Sequence, residues 1–119
     1  MESAPQQRQA AILFADIAGS TRLYETLGDA EALATITRAL DVIRQVCEEH
    51  GGRIVKTIGD EAMAIFPNAA NAAYASITMQ TQFSGMKTSR GAPLAINAGF
   101  HYGPVIFESK DVFGNSVNL

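Results

Sequence analysis

The sequence of 119 residues has no tryptophan, two histidines and one cysteine, and each shortage removes a class of chemistry. A lone cysteine forms no intrachain disulfide and no thiolate metal cage, which suits a reducing compartment. Cys47 falls on the apolar stripe of an expected helix, so it reads as a buried side chain rather than a reactive thiol. His50 and His101 are far apart in sequence and offer no histidine metal cluster. No serine sits in a nucleophile-elbow pattern. Basic charge is also scarce. A net charge of −3 provides no cationic field, so nucleic acid is not an expected partner. The amino end, Met1 to Arg8, has no apolar signal core, and no run approaches membrane-spanning length. A cytoplasmic location is expected, with no membrane contact from this segment.

What the chain does have is a core. Hydrophobic residues make up 47% against 18% charged, the balance of one folded domain rather than a disordered segment. Residues 1–8 are polar and read as a flexible tail, leaving 9–119 as the domain. Ala10 to Phe14 is a short apolar run suited to a buried strand, ending at Asp16. Gly19-Ser20-Thr21 supplies a turn and a helix cap, with a short helix through Leu23 and Leu27 closed by Gly28. Asp29 is placed to cap the next helix, whose stripe is Leu33, Ile36, Leu40, Ile43 and Cys47 and whose end is His50-Gly51-Gly52.

Arg53–Ile58 and Glu61–Phe66 flank Gly59-Asp60 as a hairpin. Pro67-Asn68 stops the second strand and begins an alanine-rich helix to about Phe83, with Ile77, Met79 and Phe83 as core residues. After a loop from Ser84 to Pro93, alternation from Leu94 to Tyr102 gives a half-buried strand. Gly103-Pro104 is expected to interrupt it before a further strand at Val105–Phe107. The order β-α-α-β-β-α-β implies an α+β, ferredoxin-like sandwich: an antiparallel sheet with helices on one face. The first strand is then central beside the hairpin, and Asp16 and Asp60 converge at one sheet edge.

Either aspartate alone is an ordinary turn residue. Together, on neighbouring strand ends, they suit a pair of divalent cations, which polarise a phosphoryl oxygen and acidify an attacking hydroxyl. The backbone N–H groups from Ile17 through Ala18, Gly19, Ser20 and Thr21 lead into a helix and offer a phosphate cradle. Lys56, four positions before Asp60 in an apolar strand, can donate to a base nitrogen or pair with a phosphate. Asp111 can accept from an exocyclic amine, and Asn118 can bridge a ribose or phosphate oxygen.

Three stretches, Phe14 to Thr21, Val55 to Asp60 and Asp111 to Asn118, together resemble the class III adenylate/guanylate cyclase catalytic domain. Ala98 to Val105 matches a fourth, the glycine-bearing strand of that family. By that resemblance Asp16 and Asp60 hold two divalent cations, magnesium or manganese, with the Ile17 carbonyl assisting. Lys56 and Asp111 match the purine-selecting positions, and a lysine donor with a carboxylate acceptor suits ATP rather than GTP. Asn118 matches the catalytic asparagine that orients the ribose. The implied reaction converts ATP to 3′,5′-cyclic AMP and pyrophosphate, for signal transduction, at sites shared between the two chains of a homodimer.

The family pattern continues beyond the asparagine to an arginine that stabilises charge on the reacting phosphate. Leu119 follows Asn118 directly and that arginine is not in the sequence. The domain is therefore expected to be incomplete at its C-terminus and weak or inactive by itself, since one such contact is worth about a hundredfold or more. Ser20 stands where many family members carry phenylalanine, and Glu61 reads as a solvated strand residue. Two alternatives accompany this reading. One is a catalytically silent nucleotide-binding or dimerisation module. The other is a diguanylate cyclase-like enzyme, since Gly59-Asp60-Glu61 superficially resembles part of that family's hairpin motif.

Overall fold

Alternation along the first strand decides how the molecule is layered. The computed structural model describes residues 6–108 and 111–113, with the backbone alone at positions 6–7, 107–108 and 111–113. In chain order the elements are β1 (Gln6–Ile17), α1 (Ser20–Leu27), α2 (Asp29–Glu49), β2 (Arg53–Ile58), β3 (Glu61–Phe66), α3 (Ala69–Ser84), β4 (Ile96–Glu108) and β5 (Asp111–Phe113). Within β1, Ala11, Leu13, Ala15 and Ile17 face the helices and join the main core with Leu23, Ile36, Ile43, Phe66 and Met79. Ala10 and Ile12 face the other way, into a smaller cluster with Met63, Ile65 and Val105. All three helices therefore cover one face of the sheet.

The strands pair antiparallel in the order β2-β3-β1-β4-β5, so β1 is central, as the ferredoxin-like reading requires. The hairpin strands begin and end where the sequence places them, joined through Gly59 at φ 59°. The helix-free face is not flat. The sheet curls far enough for its two edge strands, β2 and β5, to come into contact.

Several expectations are corrected. β1 starts at Gln6, so Gln6–Arg8 pair with β4 instead of belonging to a tail. The buried stripe of α2 is Ala32, Thr35, Ile36, Ala39, Ile43, Val46 and Cys47, while Leu33 is 58% exposed. Ile77 is likewise 62% exposed, unlike Met79 and Phe83, which are buried.

β4 runs unbroken through Gly103-Pro104. β5 pairs only with Ile106–Glu108, so at Pro104 one side of β4 has no ladder partner among the described residues and the missing N–H is tolerated. Helix capping also differs. Gly19 and Gly28 are the N-caps of α1 and α2, and neither helix has a side-chain cap from Ser20, Thr21 or Asp29. Only α3 is capped as its sequence suggests, by Asn68 accepting from the Asn71 N–H at 2.8 Å.

Candidate active site

Asp16 occupies the last turn-ward position of β1 on the helix-free face, and Asp60 lies in the β2–β3 turn. The β1–β3 register sets Asp16 opposite Glu61, so the hairpin tip projects just past the end of β1. The Ile17 N–H reaches the Asp60 carbonyl at 3.4 Å, a long bond that ties the two segments together. Their carboxyl groups are within hydrogen-bonding reach of each other. Burial raises the Asp16 carboxyl above its ordinary value of 3.8, and the neighbouring Asp60 and Glu61 charges raise it further. The Ile17 N–H opposes them in part.

Two carboxylates forced together in this way repel, and a hard divalent cation between them would relieve that repulsion through oxygen ligands. The donor set therefore suits magnesium or manganese. Among the described residues no group of three or more histidine, cysteine, aspartate or glutamate side chains is arranged to hold a metal ion. The acidic pair, supplemented by main-chain oxygen, is what the site offers.

Next to the pair the chain turns into α1. Gly19 adopts the left-handed conformation (φ 72°, ψ 27°), and its carbonyl accepts the first helical bond from Leu23 at 3.1 Å. The first-turn N–H groups have no side-chain cap and no earlier carbonyl within the helix to bond. Of the N–H groups that the sequence offers as a phosphate cradle, that of Ala18 already donates to the Ala95 carbonyl at 2.9 Å.

Lys56 pairs with Met63, on the sheet face that carries Asp16 and Glu61. Asp111 opens β5, opposite Glu108, on the other edge of the sheet. The strands that carry these two residues, β2 and β5, come into contact. Asn118 lies outside the described residues.

Two residues flank Asp16 that sequence reasoning did not place there. Glu61, read as a solvated strand residue, and Asn97 sit opposite it on β3 and β4 respectively. Only strand register reveals them. Neither neighbours Asp16 in sequence, though Glu61 following Asp60 in the hairpin was a usable signal.

A family model for the adenylate and guanylate cyclase catalytic domain matches residues 2–119. The chain belongs to that family. The match takes in Asp111–Asn118, the segment that a diguanylate cyclase reading leaves without a role. An uncharacterised protein of Mycobacterium tuberculosis is 32% identical over 106 residues, covering 89% of this chain and 27% of that protein. An adenylate cyclase of Streptomyces coelicolor is 31% identical over 113 residues, covering 94% of this chain and 28% of the relative.

This cyclase chain thus spans roughly a quarter of the length of the curated relatives it matches. Among solved structures, the catalytic core of a rhodopsin-guanylyl cyclase with converted specificity, in complex with ATPαS, superimposes with a TM-score of 0.86. At 21% identity, covering 97% of this chain and 70% of that one, the likeness establishes the shared fold. No helix among the described residues is long and apolar enough to cross a membrane.

Proposed function

We propose that this cyclase domain converts ATP to 3′,5′-cyclic AMP and pyrophosphate in the cytoplasm. The observation that carries the reading is the meeting of the Asp16 and Asp60 carboxyl groups beside the uncapped turn at Gly19. Asp16, Asp60 and the Ile17 carbonyl would hold two divalent cations, which when bound lower the pKa of the ribose 3′-hydroxyl and neutralise the triphosphate. The N–H groups of Gly19, Ser20 and Thr21 would hold the terminal phosphates at the positive end of α1.

The 3′-oxygen forms a bond to the α-phosphorus as the bond to the pyrophosphate oxygen breaks, and the hydroxyl proton leaves to solvent. Little covalent work falls to the protein; positioning and charge supply the acceleration. Lys56 donates to the adenine ring nitrogen and Asp111 accepts from its amino group, a pattern guanine would reverse. Asn118 orients the ribose. Two copies of the domain would assemble head to tail, each site taking its acidic pair from one chain and its purine-selecting residues from the other.

The direct test is cyclic AMP formation from Mn-ATP. Asp16→Asn should lower turnover about a hundredfold or more. Undiminished turnover in that variant would remove the acidic pair from the mechanism.

A further inference from the structure

A cavity of about 390 Å³ opens between α1 and the connection from Gly85 to Ala95, on the far side of the Gly19 turn from the acidic pair. Its floor is apolar: Leu23 and Leu27 from α1 and Leu94 from the connection, all largely buried. Arg22 and Arg90 stand over it, both exposed. Among the described residues neither guanidinium has a hydrogen-bond or ion-pair partner.

Thr88 also lines the cavity and is 6% exposed. Its hydroxyl oxygen accepts from the N–H groups of Arg90 at 3.3 Å and Ala92 at 3.1 Å. Its own hydrogen has no acceptor among the described residues, an unusual state for a buried hydroxyl. No acidic side chain lines the space.

We propose that this cavity is a second binding site, for a small organic carboxylate with an apolar body. Two guanidinium groups and a hydroxyl donor suit a carboxylate, which accepts bidentate bonds from arginine. The leucine floor suits a ring or short hydrocarbon chain rather than a phosphate, whose hydration it would strip without replacement. The volume falls in the range of small-ligand sites. Because Ala18 and Gly19 form part of the wall, an occupant would bear on the turn leading to α1 from behind.

The test uses 2-naphthoate titrated calorimetrically into the whole chain without nucleotide or metal, so it does not depend on the cyclase reading. One saturable site per chain is expected, with neutral 2-naphthylmethanol at least about tenfold weaker. Arg22→Gln and Arg90→Gln should each weaken binding about fivefold, in keeping with exposed charge pairs. Thr26→Trp, which fills the mouth from the solvent side of α1, should abolish it while the thermal melt stays native. Asp16→Asn should leave it unchanged. Absence of binding, equal binding of the alcohol, displacement by tripolyphosphate, or full binding by a natively folded Thr26→Trp variant would each overturn the proposal.

Discussion

The carboxyl groups of Asp16 and Asp60 lie within hydrogen-bonding reach, although one closes β1 and the other sits in the β2–β3 turn. The register that pairs Asp16 with Glu61 sets Asp60 opposite Ile17, the last residue of β1, one step along from Asp16. Such a pair costs the metal-free protein stability, and that cost has a sign.

As pH rises through the ordinary carboxylate value of 3.8 towards the raised value of Asp16, the folded state keeps a proton that the unfolded chain has lost. Stability of the metal-free chain therefore falls over that window and stays lower above it. Asp60→Asn removes one repelling charge. It should raise the melting temperature at neutral pH, lose that advantage below the window, and abolish any stabilisation by Mn²⁺. Thermal melts at several pH values, with and without the ion, check all three.

Lys56→Glu replaces a donor with an acceptor on the face that carries Asp16. Its preference between nucleotides should move from ATP towards GTP by about a hundredfold, the worth of one charge-assisted hydrogen bond gained and one lost. Competition binding with the two Mn-nucleotides reads the ratio directly, and an unchanged ratio would take Lys56 out of purine selection.

Gly52 packs directly against the ring of Phe66, which is buried, and a methyl group there would collide with it. Gly52→Ala should destabilise the fold by about 1–3 kcal/mol, seen as a lower urea midpoint at an unchanged slope. Gly59→Ala tests a different cause, in the turn of the hairpin that Gly52 precedes. No atom crowds that position, and only its φ of 59° opposes a side chain. A loss of about 1 kcal/mol is expected there.

Cys47 is fully buried on α2, and burial pushes its thiol up to about 12. Maleimide labelling at neutral pH should be negligible in the native chain and rapid in urea, so its rate reports unfolding. Fast labelling of folded protein would mean that α2 separates from the sheet under native conditions.

The hairpin was legible in the sequence because Gly59-Asp60 is a strong local signal between two apolar runs. The two apolar faces of β1 were not separable in advance, since a central strand buried on both sides shows a run instead of an alternation. Of the stripe read for α2, Ile36, Ile43 and Cys47 are buried and Leu40 packs against the core, while Leu33 is exposed and Ala32, Thr35, Ala39 and Val46 complete the buried face. At Pro104 a local breaker was overruled because the neighbouring strand ends before reaching it.

Sequence by itself determined the order of the first seven elements, the family motifs and the residue types at Asp16, Asp60 and Lys56, because these follow from local chemistry and spacing, but not the eighth element, β5, at Asp111–Phe113. Tertiary structure alone decided that Glu61 and Asn97 flank Asp16, that the edge strands β2 and β5 meet, and that Arg22 and Arg90 share a cavity. Those are relations between strands and loops distant in the chain. They are fixed by pairing register and sheet curl, which no local run of residues encodes.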